Sequence, residues 1–422
     1  MKHSDFPLSF TLILASSVIL MMGDAAAQEP PTGSGEVTVY RDTWGVPHVY
    51  ADDLSQATYG LGYAQAEDRI DDIFVNIRTA TGTMAEVFGP AYAEQDYIMR
   101  VLKNAERCAE YWKTAPPHIR RMGDNFVAGI AQYLEEHPER RPAFATELHG
   151  WQSLAVGRAM NLLFPLEDLM GELRQKAKAP GIGSNAFAIA PSRSAEGCAI
   201  HMADPHLEWK GMAVFYEARI HGGEEGICGY WLAGCPLPIT GHSTHVAWAN
   251  TLGSPDTSDI YMVKMNPQNP LQYEYNGERR DFEVAMITVA IKGQPALQKP
   301  ALYSLHGPVI EAPDPAKGIA YCAASPYFES AGLLEELYHC VTARSCEEFY
   351  EGLAMGQIMG RNCLFADRDG NIQYVRSGRT PIRPDGDYNW AVPVPGGTDA
   401  TRWKGFHDIA DHIQIKNPPQ GY

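Results

Sequence analysis

Pro180-Gly181-Ile182-Gly183-Ser184-Asn185-Ala186-Phe187-Ala188-Ile189-Ala190-Pro191 divides the chain into two parts of different character. The residues before Ser184 form a glycine-rich turn without apolar periodicity, whereas Ser184 to Ile189 reads as a strand whose first residue is a serine. This is not the G-x-S-x-G elbow that exposes a serine between a strand and a helix, because Asn185 and Ala186 follow it. Taken alone, Gly-Ser ahead of a strand is an ordinary turn, so its meaning depends on what lies on either side.

Upstream, Leu61, Ala64, Ala66, Ile70, Ile73, Phe74 and Ile77 recur mostly at three- and four-residue spacing. That spacing predicts a helix over 55–88, stopped by Gly89-Pro90. Further helical segments fill 105–136 and 153–178, so the first part is mainly helical. Ahead of them, 36–40 alternates like an edge strand running into the turn Asp42-Thr43-Trp44-Gly45. Downstream the chain becomes sheet-rich, with strands expected at 213–220, 247–251, 286–291, 363–366 and 372–375. The last two flank Asp367-Arg368-Asp369-Gly370-Asn371, which reads as a hairpin turn; it shares the opening of a calcium loop but lacks the further acidic ligands. No internal repeat or low-complexity tract interrupts this pattern.

The 422 residues are 45% hydrophobic and 20% charged, enough apolar material for a large core. A formal charge of -17 repels phosphate backbones and anionic membranes, which argues against nucleic acid or a membrane as partner. Residues 1–27 have the layout of a secretory signal: Lys2 and His3, a mostly apolar run over 6–22, then Ala25-Ala26-Ala27 as the cleavage site. The alternative, a membrane anchor, is opposed by the short run and its interruption by Pro7 and several serines. A periplasmic or secreted protein is expected. Its eight cysteines are too sparse for a disulfide-dense scaffold. Cys228 with Cys235 and Cys340 with Cys346 are near enough to pair, buried free thiols are the alternative, and no C-x-x-C spacing suggests zinc.

Four blocks give the junction its context: 41–48 (Arg-Asp-Thr-Trp-Gly-Val-Pro-His), 59–69 (Tyr-Gly-Leu-Gly-Tyr-Ala-Gln-Ala-Glu-Asp-Arg), 183–194, and Asp204-Pro205-His206-Leu207. With a weaker fifth, Pro393-Val394-Pro395-Gly396 and Trp403-Lys404-Gly405, they resemble the penicillin acylase family of N-terminal-nucleophile hydrolases, in that family's order. The resemblance implies an α+β fold, the four-layer αββα sandwich, with Ser184 opening a central strand. Residues 28–183 would then be a mainly helical α chain with a short linker, and 184–422 the first part of a β chain.

In that family the precursor cuts itself, here between Gly183 and Ser184, and the freed α-amine becomes the base for its own hydroxyl. The chemistry is sound on general grounds: an α-amine titrates near pH ~8, so a useful fraction is neutral and can take the hydroxyl proton. Glycine at 183 would tolerate the unusual torsion that exposes its carbonyl. The resemblance assigns His206 to hydrogen bonding with Ser184, and Leu207 to the acyl pocket. It also places Leu252, after Trp248-Ala249-Asn250-Thr251, as the backbone oxyanion donor. Glu172, Asp256 and Asp259 match carboxylates that bind a structural calcium across the two chains, and no organic cofactor is implied.

The family's second oxyanion donor is an asparagine beyond an Asn-Pro-x-x-Gly-Tyr segment. The sequence ends at Asn417-Pro418-Pro419-Gln420-Gly421-Tyr422, so that asparagine is expected beyond it, in a truncated part, and Asn417 reads as a turn residue. The implied substrates are small N-acyl amides: acyl-homoserine lactones, β-lactam antibiotics or acylated lipopeptides, with His206 leaning toward the lactones and lipopeptides. Two other readings remain. One is a metal site from His201, His206, His242 and His245, which lacks an acidic partner in a zinc-protease pattern. The other is a degenerate acylase kept as a non-catalytic secreted binding protein.

Overall fold

The computed structural model describes residues 35–174, 183–253, 256–311, 313 and 317–422. The expected signal segment, Lys178 and the turn residues Pro180, Gly181 and Ile182 lie outside these. The first part is helical: α1 (Leu54–Thr81), α2 (Ala85–Phe88), α3 (Ala93–Val101), α4 (Asn104–Thr114), α5 (Pro117–Glu136) and α6 (Gly150–Leu173). Asp53 caps α1 by accepting from Gln56 N–H, and Gly82 ends it in the left-handed conformation at φ 64°. The expected stop at Gly89 is therefore seven residues late. Chain continuity was broken earlier because the buried Asp96 carboxylate accepts from Met84 and Ala85 N–H (3.1 and 2.7 Å) and starts α2 afresh. The expected helix over 105–136 is likewise two, since Pro117 occupies the first turn of α5 and cannot continue α4.

Strands β1 (Thr38–Arg41) and β2 (Pro47–Ala51) precede the helices; β3 (Ser184–Ile189), β4 (Ile200–Pro205), β5 (Phe215–Gly222), β6 (Glu225–Leu232), β7 (Thr240–Ser243) and β8 (Val246–Leu252) follow them. Next come β9 (Asp259–Asn266), β10 (Asn269–Tyr275), β11 (Glu278–Asp281), β12 (Glu283–Ile291), β13 (Gln294–Ser304), β14 (Gly307–Pro308) and β15 (Ile319–Ala324). After the helices α7 (Leu333–Val341) and α8 (Cys346–Leu353) the chain closes with β16 (Arg361–Asp367), β17 (Ile372–Ser377), β18 (Val394–Pro395) and β19 (Gln414–Lys416). Nine of these form one sheet in the order β1-β2-β5-β6-β7-β8-β16-β17-β19, so β1 is the expected edge strand. β2 runs parallel to β5, which joins the part before the junction to the part after it.

Alternation sorts the two faces of this sheet. Ala218, Ile220, Trp231, Trp248 and Phe365 point toward the helices and share one core with Leu61, Phe74, Phe126, Leu154 and Val156. The contact between α1 and α5 is unusually close. A Cβ at Gly62 would lie 2.0 Å from Phe126 O, and one at Gly129 would lie 2.0 Å from Tyr59 O, so only glycine fits either position. On the opposite face the hairpin β3–β4 packs through Ala188 against Ala366 and Ile372. Ser184 thus opens a strand of a two-stranded second layer, not a central strand of the large sheet. Helix, sheet and second sheet stack in that order; a fourth, helical layer is not found among the described residues.

Two smaller sheets flank this body. One has the order β11-β10-β9-β15, with β18 parallel to β9; the other is β12-β13-β14, seated on α2 and α3 through Ala85, Tyr97, Val101, Val289 and Ala301. The expected hairpin at Asp367–Asn371 joins β16 to β17. Asp367 Oδ1 accepts from Asp369 and Asn371 N–H, and Gly370 sits at φ 89°. Asn417, at φ 46°, accepts from Ile372 N–H and serves as a turn residue. All eight cysteines are free; Cys235 and Cys340 are buried among core side chains rather than paired with Cys228 or Cys346. No described helix is long and apolar enough to cross a membrane.

Candidate active site

The site forms where β3 begins. Ser184 pairs with Pro205 at the end of β4, which brings the Asp204–Leu207 block beside the junction. The Ser184 hydroxyl donates to the carbonyl oxygen of Gly183 at 2.6 Å, so the hydroxyl lies against the peptide group that precedes it. The main-chain N–H of His206 reaches both partners, at 3.3 Å from Gly183 O and 3.4 Å from Ser184 Oγ. A donor in that position polarises the Gly183 carbonyl and faces the oxygen on which charge would develop.

The imidazole of His206 does something other than expected. Its Nε2 lies 2.8 Å from Asp204 Oδ2 and 3.3 Å from Asn185 Nδ2, on an exposed ledge, while contact with Ser184 comes from the backbone. The Asp204 carboxyl is held below its usual range, first by its hydrogen bond to His206 and then by that to Asn185. Gly183 also departs from expectation. It has no left-handed torsion, and among the described residues a Cβ there would meet nothing within 4 Å.

Ser184 lines a cavity of about 120 Å³ whose other walls come from the large sheet and helices α6 and α7. Leu207 and Leu252, two of the expected site residues, line it with Ser184 and Gly183. Its deeper wall includes Met160, Phe164, Leu237, Leu333, Leu337 and Met359. The sequence reading missed these residues, along with the polar Asn250 and Arg361 in the same wall. They come from separate elements, and their core-like periodicity carries no mark of a cavity.

The three expected calcium carboxylates are gathered at the end of α6, around Arg383 rather than around open space. The Arg383 guanidinium donates to Asp259 Oδ1 and Oδ2 (2.9 and 3.0 Å) and to Asp256 Oδ1 (2.9 Å), and Trp403 Nε1 donates to Asp259 Oδ2 at 2.6 Å. Both Asp259 oxygens are thereby occupied by protein donors. Among the described residues no group of three or more His, Cys, Asp or Glu is arranged to hold a metal. Glu172 Oε1 accepts from Ile260 N–H at 3.0 Å. Burial pushes the Glu172 carboxyl up to about 8, with Asp259 and Asp256 adding to the rise. The four-histidine alternative does not assemble either: His201 contacts Leu364 O, and His242 contacts Ser243 O.

The first two sequence blocks are tied together beneath this site. Arg41 donates to Asp68 Oδ2 at 2.9 Å, to Glu67 and to Gly45 O, and Tyr216 O–H donates to the same Asp68 oxygen. The 59–69 block also contains Gly62, whose missing side chain permits the α1–α5 contact.

Comparison with known proteins gives a consistent result. An acyl-homoserine lactone acylase, QuiP, of Pseudomonas fluorescens is 25% identical over 92% of this chain and 55% of its own length. Penicillin acylase 2 proenzyme of a Pseudomonas species is 25% identical over 93% of this chain and 58% of its own. The chain spans about half the length of these curated relatives. Among solved structures, the thermostable penicillin G acylase from Alcaligenes faecalis superposes with a TM-score of 0.51 and 28% identity, covering 56% of this chain and 42% of that one. The penicillin amidase family profile matches residues 36–422, and with the α+β layers and the junction serine already described, the chain belongs to the penicillin amidase family.

Proposed function

We propose that the chain is the precursor of a secreted, self-processing amide hydrolase that removes an aliphatic acyl group from a small N-acyl amide, with acyl-homoserine lactones the leading class. The carrying observation is the Ser184 hydroxyl 2.6 Å from the Gly183 carbonyl oxygen, in the lining of an apolar cavity. In processing, Ser184 Oγ attacks the Gly183 carbonyl carbon and loses its proton, while the His206 N–H faces the resulting oxyanion. The carbon–nitrogen bond then breaks, the nitrogen takes a proton, and water hydrolyses the Gly183 ester. Ser184 is left with a free α-amine beside its hydroxyl.

In turnover that amine takes the hydroxyl proton directly or through a water as Oγ attacks the substrate carbonyl. The leaving amine is released protonated, and a water hydrolyses the acyl ester. The Leu252 amide, at the same cavity, is the proposed main-chain donor to the oxyanion. The cavity supports an acyl chain as the recognised part: about 150 Å³ of apolar space accommodates a benzene-sized group. The charged start and apolar run within residues 1–27 support export as the route to maturity.

The test is Ser184→Ala in the full-length gene product. A single uncut band without amidase activity is expected, against two bands and a new N-terminal Ser184 for the parent. A variant that still matured and hydrolysed amides would refute the assignment; an uncut, inactive parent would favour the non-catalytic binding protein.

A further inference from the structure

The apolar cavity has a definite end. Leu333 and Ile358 line it, while their chain neighbours Gly332 and Gln357 line a second groove together with Arg107, Glu110 and Glu335. Residues 332–333 and 357–358 therefore form a partition between two spaces of opposite character. In the groove Arg107 pairs with Glu329, and Tyr111 O–H donates to Glu335 Oε2 at 2.7 Å. An aliphatic tail crossing into it would strip water from those polar groups and offer them no partner.

The partition is pinned from two helices. Asn161 on α6, 5% exposed, accepts from Met359 N–H at 2.6 Å and donates to Gln357 O at 3.3 Å, so both ends of its amide are used. Glu336 on α7, 2% exposed, accepts through Oε2 from the N–H groups of Gln357 and Ile358, and Arg361 donates to its Oε1 at 3.2 Å. Gln357 Oε1 in turn accepts from Gly332 N–H at 3.1 Å. Moving the 357–359 segment would strand several buried groups at once, which makes it a stiff wall. The space in front of it is about 120 Å³. A dry cavity of about 150 Å³ takes a benzene ring, so room for about six carbon atoms is the ceiling here.

Resting on the acylase reading above, we propose that this cavity measures chain length: it takes acyl groups of about four to six carbons and turns longer ones away at the partition held by Asn161 and Glu336. Each methylene added within that limit buries apolar surface and gains about fourfold in affinity. A methylene beyond it has to fold back toward Ser184 or displace the 357–359 segment. Asn161 and Glu336 act through the main chain of that segment and are positioning residues, whereas Ile358 and Met359 present the limiting surface.

The experiment uses the full-length protein in two forms. In the Ser184→Ala chain, calorimetry follows the binding of butanoic, hexanoic, octanoic, decanoic and dodecanoic acids. In the processed parent, kcat/KM is measured on the matching N-acyl-homoserine lactones. Both series are expected to peak at about four to six carbons and to fall about tenfold or more by decanoyl. Met359→Ala removes most of a side chain from the wall and should move the peak about two carbons longer. Asn161→Ala frees the 357–359 segment and should raise the decanoyl-to-hexanoyl ratio about fivefold, a change that a general loss of stability would not produce because it lowers both rates alike. Series that rise or stay level through dodecanoyl, a peak that neither substitution moves, or no affinity for any of the acids overturns the proposal. A length optimum in binding without lactone turnover would sink the acylase reading while sustaining this one; turnover without an optimum does the reverse.

Discussion

Glu172 offers a quantitative test of the seam between the two parts of the chain. Its carboxyl is pushed from 4.5 to about 8 in the folded protein, first by burial and then by Asp259 and Asp256. The folded state thus holds a proton that the unfolded chain releases near pH 4.5. The resulting stabilisation is complete below that pH and is lost as pH rises through about 8. Each tenfold change in proton affinity is worth about 1.4 kcal/mol, so the full effect would be roughly 4–5 kcal/mol; partial solvation of the site reduces the expectation to about 2 kcal/mol. Glu172→Gln keeps an oxygen for Ile260 N–H and removes the titration. In a Ser184→Ala background, where the chain stays in one piece, urea midpoints at pH 5, 7 and 9 should fall with pH more steeply for the parent than for the variant, which retains the smaller rise of Asp259 to about 6. At pH 9 Glu172→Gln should be the more stable by about 2 kcal/mol. Parallel curves, or a variant less stable at pH 9, would refute the argument, and a parent curve levelled by added calcium would overturn the assignment of the local cation role to Arg383.

Gly62→Ala reverses a common trend. Alanine in a helix normally stabilises by about 1 kcal/mol over glycine, but here its Cβ would lie 2.0 Å from Phe126 O, so chemical denaturation should show a net loss of about 1–3 kcal/mol. His206→Ala retains the main-chain N–H at the junction and loses exposed contacts with Asp204 and Asn185, so gel-monitored processing should slow less than tenfold. Met160→Trp narrows the cavity and should move the optimum in kcat/KM toward shorter acyl chains. Each methylene that no longer fits loses about 0.8 kcal/mol, about fourfold.

The readable parts of this molecule were those governed by local rules. The strand beginning at Ser184, the hairpin at Asp367–Asn371 and the long helix through Leu61 and Ile77 each announce themselves by period or turn chemistry. The helix boundary at Gly82 was not legible, because its cause is Asp96, a residue fourteen positions on that folds back to cap the next helix. The layer in which β3 sits was hidden for a related reason, since a strand's own residues do not name its neighbours. Leu207 and Leu252 reached the cavity wall through motif position, whereas Arg361 carries no motif and is brought there by packing alone. The imidazole of His206 shows the converse: the sequence pointed to the side chain, whereas the contact with Ser184 comes from the amide.

The parallel pairing of β2 with β5 has a mechanical corollary. Segments from before and after Ser184 share one sheet, β1 and β2 forming its edge beside β5, and one apolar interior, so severing the junction peptide would leave that sheet and core continuous. Pulling the halves apart would strip an edge from the sheet and lay open the core that both share, which couples dissociation to denaturation.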